Sequence, residues 1–256
     1  MSTVHELYSY LDKIISPELS CEWDNDGLMV CPDKFAKVKR VLLTLDITAE
    51  AIEYASSEGF DVIISHHPLI FRPLKNLSGD NAVSSKVMSL VKNSITAMSF
   101  HTRLDALDGG VNDMLAELLG IEDVEILPGD PDMIGRIGNL EIPSDPEEFA
   151  MYVKEQLGAR SLSLVNAQLE VSRVALCGGD GKELLSAAYK AGADTYITGT
   201  LSYNNMIDAS ELPMNVIEAG HFYTENHVLN LLADLVEEFD SSIEVEIYNS
   251  NIVKNV

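Results

Sequence analysis

Cysteine is scarce. Cys21, Cys31 and Cys177 are the three in the chain, and no Cys-x-x-Cys occurs. A disulfide framework is thereby excluded, and a reducing cytoplasm is the expected location. Basic residues are also few. Seventeen Lys and Arg stand against 41 Asp and Glu, a formal charge of −24 at pH 7. Such a surface repels polyanions at long range, so neither nucleic acid nor an anionic membrane is expected as a partner. The charge reads as a solubility device. Apolar runs never exceed strand length, so no segment is expected to cross a bilayer as a helix. The first residues, Met1-Ser2-Thr3-Val4-His5-Glu6, lack the basic-then-apolar order of a signal peptide. There is no Gly-x-Ser-x-Gly elbow, and no Ser or Cys nucleophile with its base is visible. Gly178-Gly179-Asp180-Gly181 is neither a dinucleotide fingerprint nor a P-loop and reads as a tight turn.

What is present is an apolar fraction of 46% over 256 residues, enough for one large domain or two smaller ones. Thr3-x-x-Glu6 is a capping box that opens a helix with Leu7, Leu11, Ile14 and Ile15 at helical spacing, and Pro17 ends it. Strands are expected at 41–45, 62–65 and 95–100. Helices are expected at 49–58, 83–92 and 111–119. That alternation predicts a largely parallel sheet with right-handed crossovers. Turn formers crowd residues 127–171, where a second domain is expected to begin. Beyond it come a strand at 173–177, a helix at 182–191, strands at 194–198 and 216–217, a long helix at 224–239 and a last strand at 243–247. Segments 54–67 and 189–200 share a pattern of helix, Gly-x-Asp and apolar strand. Two related halves explain it, and so does the general likeness of β-α-β units. The fold class is α/β, with two α/β domains. Residues 1–125 plus 218–256 are expected to form the metal-bearing one, and 126–217 a smaller second.

Ligands in such sheets bind beyond the carboxyl ends of the strands. Four histidines of the six in the chain lie at such ends or at turns. His66-His67 closes the second strand, with Pro68 keeping the chain extended. His101-x-x-x-Asp105 follows the neighbouring strand. Gly220-His221-x-x-x-Glu225 opens a helix, and residues four apart share one face. Together His66, His67, Asp105, His221 and Glu225 offer imidazole and carboxylate but no thiolate, which suits Zn, Mn, Fe, Co or Ni. They are too many for one open ion and suit two divalent ions per chain that share a water. His101, one helical turn from Asp105, is the candidate catalytic proton carrier. Asp46, at the same sheet edge, is a candidate partner of a ligand histidine. Arg72, Lys75 and Arg103 flank these residues. They either orient an anionic substrate or balance local carboxylates.

The order of motifs resembles a known family. Trp23-Asp24-Asn25-Asp26-Gly27-Leu28 is similar to its W-D-N-x-G-L signature, and Ser65-His66-His67-Pro68-Leu69-Ile70-Phe71 to its S-H-H-P-L-I-F hallmark. His101-Thr102-Arg103-Leu104-Asp105 with Gly109-Gly110-Val111-Asn112-Asp113 resembles its H-T-x-L-D…G-G-V-N-D block. Thr198-Gly199 and Ala219-Gly220-His221-x-x-x-Glu225 resemble its second-half motifs. The family is that of the Nif-three-like dinuclear-metal-centre proteins, often called GTP cyclohydrolase I type 2. The resemblance implies two metal ions on the five residues above, a chain end that returns to the first domain, and a toroidal homohexamer. It also implies metal-dependent hydrolysis of a small anionic substrate such as a nucleotide, with ring opening of GTP among the proposals. The alternative is a non-catalytic, metal-stabilised hexameric assembly or regulatory protein. Coordination discriminates the two, because an open site favours catalysis and a closed one structure. Many relatives carry an acidic residue and then a histidine where this chain has Thr200 and Asn204-Asn205, which puts the substrate in question.

Overall fold

The computed structural model describes residues 2–253. In chain order its elements are α1 (Val4–Ile14), β1 (Gly27–Val30), β2 (Arg40–Thr44), α2 (Ala49–Glu58), β3 (Val62–Ser65), α3 (Ala82–Lys92), β4 (Thr96–Ser99), α4 (Thr102–Ala106) and α5 (Val111–Leu118). There follow β5 (Ile121–Ile126), β6 (Arg136–Ser144), α6 (Pro146–Gln156), β7 (Ser163–Val165), β8 (Val171–Cys177), α7 (Leu185–Lys190), β9 (Thr195–Thr198), α8 (Tyr203–Ser210), β10 (Asn215–Glu218), α9 (His221–Glu225), α10 (Val228–Phe239) and β11 (Glu244–Tyr248). Among the described residues no helix is long and apolar enough to cross a membrane.

Two compact units make up the chain. One runs through Leu104 and resumes at Val228–Ile252, and the other spans Asp105–His227. The sequence placed these divisions near 125 and 218. They fall earlier and later because α5 packs on β5, β6 and β8, and α9 packs on α5. Asp105, His221 and Glu225 therefore belong to the second unit.

The first unit holds a five-stranded sheet in the order β1-β4-β3-β2-β11. Pairings β11–β2, β2–β3 and β3–β4 are parallel, and β1 closes the edge antiparallel to β4. Strands β3 and β4 are buried at every position, as expected of a parallel sheet covered on both faces. Their register pairs Ser65 with Ser99, so the residues that follow each leave the same sheet edge. The capping box at α1 is formed, with Thr3 accepting from the Glu6 amide and Glu6 from the Thr3 amide. Leu7 and Leu11 of α1 are fully buried. Helix α10 packs on α1 and β2.

The second unit holds a six-stranded mixed sheet in the order β5-β6-β8-β9-β10-β7. Its central strands β8, β9 and β10 are parallel. The turn-rich region is not coil. Asp145 caps α6 by accepting from the Glu147 and Glu148 amides, and Pro146 occupies the first helical turn. These turn formers are helix start signals. The long helix expected at 224–239 is two helices, parted at Asn226 and His227. His227 Nε2 is 2.8 Å from the Val111 carbonyl.

The repeated Gly-x-Asp pattern has one structural meaning in both units. Asp61 accepts from the amides of Lys39 and Arg40 at 2.7 and 3.0 Å. Asp194 accepts from Ser172 and Arg173 at 2.9 and 2.7 Å. Each aspartate thus locks the start of its own strand to the start of the preceding parallel strand.

Candidate metal centre

At the carboxyl ends of β3 and β4 the first unit gathers His66, His67 and His101, one ring nitrogen of each lying within 4.8 Å of the others. Ring centroids are 5.0 Å apart for His66–His67, 5.2 Å for His66–His101 and 5.6 Å for His67–His101. Each Nδ1 meets an oxygen acceptor. His66 donates to the Phe100 carbonyl at 3.0 Å, His67 to Asp46 Oδ1 at 2.9 Å and His101 to Asp24 Oδ1 at 2.9 Å. An acceptor on Nδ1 fixes the tautomer, so the lone pair of each ring is on Nε2. Metal-binding histidines are oriented in this way, by a carbonyl or carboxylate on the opposite nitrogen.

The Asp24 side chain is fully buried and also accepts from the Thr102 amide at 3.1 Å and the Thr102 hydroxyl at 2.7 Å. Burial alone would raise its pKa, but the bonds from His101 and Thr102 prevail and hold it well below the usual carboxylate range. It is a carboxylate throughout the physiological range and holds His101 by charge. Asp26 accepts from the His101 amide at 3.1 Å. Neither aspartate was singled out for a role in the sequence, because each meets its partner more than 70 residues away.

Arg103 takes the second of its two sequence readings. It is 2% exposed and makes two bonds to Asp26, at 2.9 and 2.8 Å, with further bonds to Asp12 at 2.8 Å and the Ile15 carbonyl at 3.0 Å. It balances local carboxylates, and its burial keeps it from a substrate. Arg72 and Lys75 are exposed.

In the second unit, α9 carries His221 and Glu225 on one face, with Nε2 and Oε2 3.1 Å apart. Glu225 is 4% exposed and Asp105 9%, and their carboxylate oxygens approach within 4.8 Å. Two buried carboxylates so close repel each other unless a cation joins them. The Thr200 hydroxyl lies 3.4 Å from His221 Nδ1. Asn205 serves as the capping partner of Ser202 at the start of α8.

The glycine-rich turn after β8 explains why α9 approaches so closely. A Cβ on Gly179 would lie 2.1 Å from Glu225 Oε1 and 3.3 Å from His221 Cε1, and one on Gly199 2.5 Å from the Thr224 hydroxyl and 2.8 Å from His221 Cα. The Gly179 amide donates to Thr224 Oγ1 at 3.1 Å. Asn112 accepts from the Gly178 amide at 2.7 Å and donates to the Asp105 carbonyl at 3.3 Å, tying the Asp105 turn to the glycine turn. The turn is tight, as expected, but it also seats the Glu225 carboxylate. Gly179→Ala should push that carboxylate aside and add left-handed strain of about 1–2 kcal/mol, since φ is 62°. Metal affinity is expected to fall by about tenfold or more, the scale of disturbing a ligand's support. Calorimetric metal titration beside Glu225→Ala checks this, and wild-type affinity in Gly179→Ala would show that the contact does not position the ligand.

Burial, then the carboxylates of Asp105, Asp130 and Glu225, pushes the Cys177 thiol well above its usual pKa. Cys177 is therefore a protonated core residue and no nucleophile. The donors in both units fit divalent ions of the borderline class by type, tautomer and burial.

The sequence profile of the Duf34/NIF3 (NGG1p interacting factor 3) family matches residues 2–256. A protein of Clostridium perfringens (strain 13 / Type A), named GTP cyclohydrolase 1 type 2 homolog, is 34% identical over 247 residues, 94% of each chain. One of the same name from Lactococcus lactis subsp. lactis is 34% identical over 238 residues, 91% of each chain. The crystal structure of a Bacillus cereus protein related to NIF3 matches the fold with a TM-score of 0.85 at 24% identity, covering 99% of this chain and 98% of that one.

Proposed function

The chain belongs to the Duf34/NIF3 family, and on that premise we propose that it is a dinuclear metal-dependent hydrolase of a small anionic substrate, with ring opening of GTP the first reaction to test. The observation that carries the reading is the histidine cluster at the ends of β3 and β4, each ring oriented by an oxygen acceptor on Nδ1 and one nitrogen of each within 4.8 Å of the others. His66 and His67, with Asp105, His221 and Glu225, are the proposed ligands. Divalent ions on such donors supply Lewis acidity and lower the pKa of water.

The chain's own residues supply the rest. Asp46 and the Phe100 carbonyl hold the two ligand imidazoles in one orientation. Asp24 holds His101 so that its Nε2 takes a proton from the attacking water and returns it to the leaving nitrogen or oxygen. Exposed Arg72 and Lys75 are the cations suited to an anionic substrate. The proposal includes a cytoplasmic homohexamer, which light scattering at physiological salt checks.

The test is a screen of nucleotides and phosphoesters with metal-loaded protein, using His66→Ala as the control. His101→Ala should keep its metal and lose about 100-fold in rate, the low end for one acid–base group. Loss of metal from His101→Ala would make His101 a ligand instead. No turnover of any substrate by freshly metallated wild type would favour the assembly reading.

A further inference from the structure

Two aromatic rings stand exposed beside the histidine cluster. Trp23 is 56% exposed and Phe71 43%. Their ring centroids are 6.2 Å apart, edge to face, and each lies 6.3 Å from His101, also edge-on. Leaving a tryptophan and a phenylalanine half in water forfeits hydrophobic stabilisation that burial would give. The fold nevertheless fixes both. Trp23 precedes Asp24, whose buried carboxylate is bonded to His101 and Thr102. Phe71 follows Ile70, whose carbonyl accepts from the Asn25 side chain. That bond ties the two ring-bearing segments together, so the rings do not drift away from His101.

From this placement we propose that Trp23 and Phe71 form the platform that takes the planar heteroaromatic ring of the substrate, in reach of His101. The proposal deepens the hydrolase reading and rests on it for the word substrate, but ring binding itself does not depend on turnover. Two rings make a surface far smaller than the roughly 800 Å² per partner of a stable protein interface, and standing edge to face they let one planar ring stack on the face of one while meeting the edge of the other. Aromatic side chains bind flat bases through their π-faces with little dependence on base identity. The platform therefore selects ring-containing ligands as a class and leaves finer discrimination to other contacts.

The chain has a single tryptophan, so its emission reports on this place alone. Metal-loaded full-length protein is titrated with guanosine, adenosine and ribose 5-phosphate while Trp23 fluorescence is followed. Both nucleosides should give a saturable change and ribose 5-phosphate none. Phe71→Ala, with unchanged circular dichroism, should raise the Kd for the nucleosides by at least about fivefold, the low end for removing one base-stacking ring. Trp23→Leu, followed by calorimetry, should do the same. The platform is overturned if neither nucleoside changes the emission, if ribose 5-phosphate changes it equally, or if Phe71→Ala alters oligomeric state while leaving Kd unchanged. Nucleoside binding without any hydrolysis would remove the reaction and keep the platform. Hydrolysis unaffected by either substitution would remove the platform and keep the reaction.

Discussion

Replacing Arg103 with methionine should lower the unfolding free energy by about 3–5 kcal/mol, the usual cost of stripping one partner from a buried ion pair. The guanidinium is 3% exposed and Asp26, which it grips with two bonds, 4%. Burial on its own would lower the arginine's pKa, yet the two carboxylates of Asp26 and Asp12 raise it above the ordinary value. Without the guanidinium, Asp26 keeps only the Ser20 hydroxyl at 3.0 Å and the His101 amide at 3.1 Å. That is too little for a carboxylate out of water. Methionine preserves much of the stem's packing against Phe100, over which the guanidinium lies at 5.2 Å. The loss therefore reports the charge and not a cavity. Urea denaturation of the metal-free protein measures it directly. A change under 1 kcal/mol would mean that water compensates Asp26 and that the pair contributes little to stability. The companion Asp26→Asn, which leaves the arginine one neutral acceptor, should be destabilising in the same direction.

Much of the first unit was legible because its strands carry their own signals. Segments 41–45 and 62–65 are largely apolar runs on either side of a capped helix, and they became β2 and β3, buried at every position but the first of β2. Thr3, Thr48 and Pro17 marked helix ends by local hydrogen-bond chemistry that does not depend on the rest of the fold. Strand β1 was not legible. Gly27–Val30 is half-exposed and exists through antiparallel pairing with Thr96–Ser99, some 70 residues later. Strand β5 hid for a related reason: five of its six positions are exposed, so its pattern lacks an apolar face. The break at Asn226 and His227 was equally hidden, because the apolar periodicity runs across it without a proline or glycine.

The candidate site divides in the same way. Histidines at the ends of apolar strands could be read directly, since strand ends are where α/β sheets bind ligands. Their orienting partners could not. Asp24 and Asp26 appeared only as letters of a motif, and the structure gives them work on His101 and Arg103, 77 residues away. The arginine illustrates the limit. Its place beside the candidate ligands was consistent with substrate binding and with charge balance, and only burial decides. Gly179 is a further case, for a tight turn and a carboxylate seat both ask for glycine.

Metal stoichiometry is the other large effect. Protein loaded with Mn or Zn should hold about two ions per chain, the count that the proposed set of five imidazole and carboxylate ligands suits. His67 belongs to one compact unit and Glu225 to the other, so the two substitutions His67→Ala and Glu225→Ala ask whether the donor sets serve the same ions. Each should cost at least about tenfold in affinity, a floor set by what even supporting partners of a ligand are worth. Glu225→Ala is expected to cost more, because it removes a buried negative charge that would attract the cations. If the sets act together, the double variant should lose far less than the sum of the single losses, since residues that share a ligand do not act additively. Strict additivity, with one ion lost in each single variant, would instead assign a separate mononuclear site to each unit. No bound metal in either loaded wild-type sample would remove the dinuclear reading altogether. Elemental analysis gives the ion count and competition with a chromophoric chelator gives the affinities, so neither readout depends on finding the substrate.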